Sequence, residues 1–409
     1  MNMGNVVADA LAVTHDFGKI RAVYLQMGPE CNMNCRHCHQ QEAKHLHLID
    51  RKVSDDVMRM LGNFIEYSKR DEFRGKGRPG DPLFRITFFG GEALLFWKSW
   101  AGIVERFVKE YGLLSDDVFR FTVTTNGLCV DDDFIRFAND NDVVVAFSYD
   151  APYPFAVRGY VSDAVCNAVR KIRHYRIISC GSSYNCDVLL SRRCLKAKFP
   201  EAVSWSSRPE VLRCSEDMPA DIDAYDFGKL RHAVRKVFVG AKVGDKDAVG
   251  IAKHWLDSPE KRFFHNTGGL SVCISGFRRL VVTPDGKVSF CCNSYDRDFG
   301  DIYGNTVDDV FRKAVSAWRG HADPKCRDCE VWDLCRRRCG RLLVDKDNHA
   351  YNCDRFKIPF YRIVREEAKV LDTPLTEGEK SWYREQETVM DDEVRRFLLR
   401  GEKNDGLFG

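Results

Sequence analysis

Cysteine is the residue type in this chain whose number and spacing point to chemistry. Of 409 residues, 17 are Cys, and they gather at two places. Cys31, Cys35 and Cys38 stand as C-x3-C-x2-C, and a denser group follows far downstream: Cys273, Cys291, Cys292, Cys326, Cys329, Cys335, Cys339 and Cys353. A disulfide framework is a poor account of them. The count is odd, Lys and Glu run through the whole chain, and Asp9, His15, Asp16, Lys19 and Arg21 break up any secretory leader. Reduced thiols at such intervals suit a metal, and a zinc site with His37 or His39 as fourth ligand is the structural alternative for the first group. Cys129, Cys166, Cys180, Cys186, Cys194 and Cys214 lie between the groups at intervals matching no ligand pattern, and read as small core or surface residues.

The elements that must position these thiols alternate. Ile20 to Met27, Phe84 to Phe89, Phe119 to Thr125 and Val143 to Tyr149 read as strands, and Cys186 to Leu190 as a fifth. Helices are expected over 54–69, 100–111, 132–140 and 162–175, with Arg70 to Asp81 a polar, Gly-rich loop. Strand and helix at βα spacing predict an α/β fold with a parallel sheet, open or barrel-like, whose ligands bind at the carboxyl ends of the strands. The chain divides into a segment 1–19, a barrel core 20–215, a helical bridge 216–265, a Cys-rich module 266–358 and a helical tail 359–409. With 63 Lys+Arg against 60 Asp+Glu, the net charge of +3 excludes the basic balance of a nucleic-acid binder read from composition alone. No apolar run reaches membrane-spanning length, so a cytoplasmic protein without membrane partners is expected.

Cys31, Cys35 and Cys38 just after the first strand of a βα series resemble the signature of the radical S-adenosylmethionine (SAM) superfamily. The resemblance implies a partial (β/α)6 barrel in which the three thiolates hold a [4Fe–4S] cluster and leave one iron for the amino and carboxylate groups of SAM. His37 stands where the family has an aromatic residue near the adenine. Gly90, Gly91 and Glu92 end the second strand like the family's GGE motif, the glycines admitting a close ligand and the carboxylate meeting the SAM ammonium. Ala93 replaces a common proline. Thr125 and Asn126 end the third strand like its TNG segment. Ser148 and Asp150 end the fourth like its S-x-D segment, with Ala151 where glycine is usual.

The downstream cysteines resemble the SPASM domain of peptide- and protein-modifying members, which carries auxiliary [4Fe–4S] clusters. By that resemblance Cys326, Cys329, Cys335 and Cys353 hold an outer cluster, and Cys273, Cys291 and Cys339 an inner one with an uncommitted iron; zinc is the structural alternative. Where sulfatase-modifying members carry a basic Asp, this chain has Cys292, which argues against sulfatase maturation and suits either a cluster ligand or a hydrogen-atom donor. Cys214 or a substrate thiolate are the other candidates for the open iron.

The resemblance implies a peptide or protein substrate and a flavodoxin- or ferredoxin-type electron donor; since no leader-binding segment is evident, a separate leader-recognition protein, direct leader binding in the barrel and a non-peptide substrate are the open alternatives. The reaction expected is an oxidative C–C or thioether cross-link, or epimerisation, in a ribosomally made peptide. An isomerase or mutase acting on a nucleobase-linked or small-molecule substrate is the runner-up, and a zinc-binding adaptor the third reading. Arg192, Arg193, Lys196 and Lys198, and Arg336 to Arg338 with Arg341, read as solvated faces or as holders of an acidic leader or nucleic-acid backbone.

Overall fold

A computed structural model describes residues 22–38, 55–59, 84–111, 119–159, 161–207, 224–256, 279–289, 300–301, 329–335 and 353–403. In chain order its elements are β1 (Ala22–Gln26), β2 (Phe84–Phe89), α1 (Trp97–Tyr111), β3 (Phe119–Thr125), α2 (Asp132–Asp140), β4 (Val144–Ser148) and α3 (Pro154–Val157). Next come α4 (Asp163–Arg170), β5 (Tyr175–Ser179), α5 (Val188–Lys198), β6 (Trp205–Ser207), α6 (Phe227–Val243) and α7 (Lys246–Leu256). The last are β7 (Arg279–Val282), β8 (Val288–Ser289), α8 (Trp332–Cys335), α9 (Ile358–Glu367) and α10 (Glu377–Lys403).

The described strands form one open sheet in the order β6-β5-β4-β3-β2-β1-β7-β8, parallel throughout except for the β7–β8 hairpin. Strands β1 to β4 lie where hydrophobic runs ended in turn residues. The fifth does not. Cys186 to Leu190 enters α5 instead, because the Asp187 carboxylate accepts from Leu190 N at 3.1 Å and caps a helix. The true β5, YRIIS, begins at Tyr175, the last residue of the stretch expected to be helical over 162–175; α4 stops at Arg170, and over β5 burial alternates with a period of two. Of the helix expected over 54–69 only 55–59 is described, and the 70–81 loop lies outside the described residues.

The sheet has two unlike faces. Val23, Leu25, Ile86, Phe88, Phe121 and Val123 belong to the buried core shared with the flanking helices. Phe88 stacks on Trp100 of α1 with centroids 4.3 Å apart, and the Trp100 indole donates to Ala93 O at 2.9 Å. Fully burying each such side chain is worth about 1.5–3 kcal/mol, which fixes α1 directly behind the turn that ends β2. The alternate positions, among them Tyr24, Arg85, Thr87, Arg120 and Thr122, point to the other side.

A second core joins α6, α7 and α9 to α5, α10 and the described part of the Cys-rich module, where Val331 is buried and Cys329 and Cys335 pack against it. Helix α10 closes over α6 because Gly240 has no side chain: a Cβ there would stand 2.4 Å from the Tyr383 hydroxyl. That hydroxyl donates to Asp245 at 3.0 Å. The basic group on α5 serves the same assembly. Arg192 and Lys196 pair with Asp247, Arg193 with Asp245 and Glu387, and Lys198 with Asp163. These cations are internal fasteners and not the solvated or leader-binding face expected from sequence. Arg336 to Arg338 and Arg341 lie outside the described residues. Among the described residues no helix is long and apolar enough to cross a membrane.

Candidate active site

Cys31, Cys35 and Cys38 follow β1 on one loop at the carboxyl end of the sheet, all free thiols and unequally covered: Cys31 exposed, Cys38 intermediate, Cys35 buried. Burial raises the pKa of Cys31 and pushes Cys35 up to about 11, the neighbouring thiols adding to both and Arg158 opposing at Cys35. Such thiols stay protonated unless a metal takes them.

Two glycines hold this loop. A Cβ on Gly90 would lie 2.4 Å from Gly28 O, and one on Gly91 2.2 Å from Pro29 O and 2.3 Å from Glu30 O. Gly91 N donates to Gly28 O at 2.9 Å and Glu92 N to Glu30 O at 2.7 Å. The glycines admit the backbone leading into the Cys loop. Neither obstacle is a movable side-chain tip, so Gly91→Ala is expected to cost several kcal/mol, on the order of 3. Chemical denaturation together with iron content after reconstitution measures it, and a variant within about 0.5 kcal/mol of the parent with full iron refutes the constraint.

Glu92 is buried, 2% exposed, and ties three turns together. Its Oε1 accepts from Leu94 N at 2.9 Å and Thr125 Oγ1 at 2.7 Å, and its Oε2 accepts from Asn126 N at 2.7 Å. Desolvation raises its pKa against these bonds. Its Oε2 retains acceptor capacity for a cation. The Asn126 amide donates to Asn32 Oδ1 at 2.7 Å and lies 3.9 Å from Cys31 Sγ. Asn32 in turn donates to Cys129 Sγ at 3.2 Å, which brings a thiol read as ordinary beside the Cys loop. A cleft of about 470 Å³ opens there, lined by Leu94, Leu95, Trp97, Lys98, Leu128 and Cys129 among others.

Asp150 is wholly buried and fully engaged: Oδ1 accepts from Cys180 N at 2.8 Å and Ser179 Oγ at 3.3 Å, and Oδ2 pairs with Arg158 Nε at 3.0 Å. Arg158 also reaches His37 Nε2 at 3.4 Å, while Arg36 bonds Val157 O through its backbone and Ala156 O through its guanidinium. Helix α3 and Arg158 thereby clasp the Cys loop from the β4 side. Burial first, and the Arg158 charge second, lower the His37 pKa to about 4, leaving a neutral ring at physiological pH. Its Nδ1 is buried without a well-formed hydrogen bond, the Val157 carbonyl offering a loose one. Sequence reading missed Arg158; the available signal was a lone cation in the apolar run PYPFAV–R following a strand-ending Asp. Ser148 ends β4 opposite Ile178.

These features bear on what the loop can hold. Among the described residues no three Cys, His, Asp or Glu groups gather closely enough for a single metal ion. Ligands at about 2.3 Å from one zinc would bring sulfurs within about 4 Å of each other, whereas a cube takes each thiolate on a separate iron. Three reduced thiols on one loop, with the Glu92 carboxylate and a neutral His37 beside them, fit an iron–sulfur cube and a cationic nucleoside ligand. Downstream, Cys329, Cys335 and Cys353 are partly buried. Cys273, Cys291, Cys292, Cys326 and Cys339, with His39 and Cys214, lie outside the described residues.

Residues 25–190 match the Radical SAM superfamily, the span from the end of β1 to α5 that carries this site. The chain thus carries a radical SAM domain. Residues 273–330 match SPASM, an iron-sulfur cluster-binding domain, so a second cluster-binding module follows the barrel. The chain is similar to the serine-type anaerobic sulfatase-maturating enzyme of Bacteroides thetaiotaomicron, 22% identical over 347 residues covering 82% of this chain and 70% of that protein. It is also similar to the cysteine-type anaerobic sulfatase-maturating enzyme of Clostridium novyi, 21% identical over 367 residues, 82% of this chain and 92% of the other. Among solved structures, native anSMEcpe with bound AdoMet superposes with a TM-score of 0.60 at 16% identity over 86% of this chain and all of that one. Streptococcus suis SuiB bound to precursor peptide SuiA gives 0.55 at 13% identity over 84% of this chain and 76% of that one. These likenesses show the open radical SAM barrel with its SPASM domain and helical C-terminal region.

Proposed function

We propose that this chain is a peptide- or protein-modifying radical SAM maturase whose reaction is an oxidative cross-link or an epimerisation. The observation that carries the reading is the Cys loop itself, held at the carboxyl end of the sheet by the Gly90–Gly91 backbone contact and the Arg158 clasp, beside the Glu92–Thr125–Asn126 network. Support for the substrate class comes from relatives that mature sulfatases and from a structural neighbour bound to a precursor peptide.

In this reading Cys31, Cys35 and Cys38 hold a [4Fe–4S] cluster, with His37, Gly90, Gly91, Glu92, Thr125, Asn126, Ser148 and Asp150 shaping the SAM site. When bound, cluster and SAM supply a one-electron cleavage that yields methionine and a 5′-deoxyadenosyl radical able to abstract an unactivated hydrogen. The chain's own residues do the rest. Glu92 would offer a buried acceptor to the ammonium of SAM, neutral His37 would face the ligand without adding charge, and Asp150 acts through Arg158 to keep the loop in place. Cys273, Cys291 and Cys339, and Cys326, Cys329, Cys335 and Cys353, would hold two auxiliary clusters, which would supply a one-electron redox capacity suited to an oxidative product. Cys292, standing where sulfatase-modifying members carry Asp, separates this chain from sulfatase maturation and serves as a ligand or a hydrogen donor. A flavodoxin- or ferredoxin-type protein supplies the electron.

The test is anaerobic incubation of reconstituted protein with SAM, a low-potential reductant and peptides encoded beside its gene, followed by mass spectrometry in D2O. A cross-link removes a pair of hydrogens, and epimerisation leaves the peptide mass unchanged in H2O but adds deuterium from D2O. Equal turnover of a sulfatase-type peptide would replace the proposed reaction by sulfatase maturation.

A further inference from the structure

The inner face of the half-barrel carries polar groups that the cofactor site does not use. Register places Arg85 beside Arg120 and, one row nearer the active end, Thr87 beside Thr122. Thr87 is 0% and Thr122 1% exposed, and neither hydroxyl has a hydrogen-bond partner among the described residues. The Arg85 Nε is likewise buried and unpartnered, while the residue as a whole is half-buried. Arg176 of β5 lies on the same face, two rows above Arg120 in the register that runs through Thr124 and Ala146. Among the described strand residues of this face there is no Asp or Glu.

Neighbouring side chains on parallel strands stand about 4.8 Å apart, and those two residues apart on one strand about 6.6 Å. Arg85, Thr87 and Thr122 therefore fall within reach of a single small group. Unpartnered buried hydroxyls disfavour folding unless something bonds them, and the Arg85 guanidinium beside them selects a negative group. A carboxylate meets all of this: it accepts from both hydroxyls and from a guanidinium at once.

We propose that Arg85, Thr87 and Thr122 form an anion subsite inside the half-barrel that binds a carboxylate of the peptide substrate. The proposal rests on the peptide-maturase reading and adds a sequence requirement to it. Thr87 and Arg85 lie three and five residues before Gly90, so the subsite is roughly 10–16 Å below the turn that holds the Cys loop. An extended peptide covers that depth in roughly three to five residues. The substrate then carries its carboxylate, from an acidic side chain or its own C-terminus, at about that separation from the modified position.

The test uses reconstituted, SAM-loaded full-length protein and fluorescein-labelled pentapeptides read by anisotropy. One peptide has a single Glu and an amidated C-terminus, a second has Gln in its place, and a third has Gln with a free C-terminal carboxylate. The expected result is binding of the Glu or the free-carboxylate peptide roughly tenfold tighter than the amidated Gln peptide, with the preference weakened by salt. Arg85→Met should erase the preference, and the isosteric pair Thr87→Val with Thr122→Val should reduce it several-fold while iron content stays at the parent level. Which carboxylate peptide wins tells a side chain from a chain terminus. Equal binding of all three peptides, or a preference that survives in both variants, overturns the subsite. Protein that takes up no iron and forms no 5′-deoxyadenosine would instead sink the maturase reading, whatever the peptides do.

Discussion

Cys35→Ala is expected to abolish formation of 5′-deoxyadenosine from SAM, by roughly 100-fold or more, while leaving the barrel folded. Cys35 is the deepest of the three loop thiols, 9% exposed, and burial holds its pKa near 11 against the pull of Arg158. Its thiolate is thus formed at a cost that only metal binding repays. Removing it leaves a cube with two thiolates at the rim of the sheet, one of them exposed. If all three proposed clusters load, the parent holds about twelve irons and the variant about eight. Iron and sulfide assays on anaerobically reconstituted protein, paired with chromatography of the nucleoside product, check both numbers. A variant with parental iron and parental SAM cleavage would mean that the cluster sits elsewhere.

Arg158→Met is expected to destabilise the protein by about 3–5 kcal/mol, the largest effect predicted for a residue that ligates nothing. The Arg158 and Asp150 side chains are 10% and 0% exposed, so loss of the guanidinium strands a buried carboxylate that only Cys180 N and Ser179 Oγ still serve. The same change frees His37 and with it one side of the Cys loop. Denaturant titration measures the stability, and adding Asp150→Asn in the same chain should recover part of it, since the stranded charge is then gone. A single variant within about 1 kcal/mol of the parent would show that the pair contributes little.

The features legible in the sequence were those carried by local pattern. Strands β1 to β4 are apolar runs closed by turn residues, and the Cys, Gly-Gly-Glu and Thr-Thr-Asn-Gly segments fall at their carboxyl ends as βα order requires. Illegible were the features decided by tertiary partners. YRIIS follows a helix almost without a break and contains an Arg, so its period of two was hidden, and the Asp187 cap shows only once its bond to Leu190 is seen. The close approach of Gly90 and Gly91 to residues 28–30 depends on two strands more than fifty residues apart. Arg158 and the fasteners on α5 are cations whose burial no composition could announce.

Pairing of β7 with β1 has a consequence for how the protein is made. Ala22 to Leu25 lie in register with Arg279 to Val282, so the strand that delivers Cys31 is flanked on one side by chain synthesised more than two hundred residues later. During translation β1 can pair with β2 early, but its other edge stays bare until the SPASM module emerges. A pairing so distant in sequence is slow to close, and it makes completion of the downstream module a condition for burying the strand beneath the Cys loop. A ribosome stalled before residue 279 therefore leaves β1 with an adhesive edge just ahead of Cys31, Cys35 and Cys38.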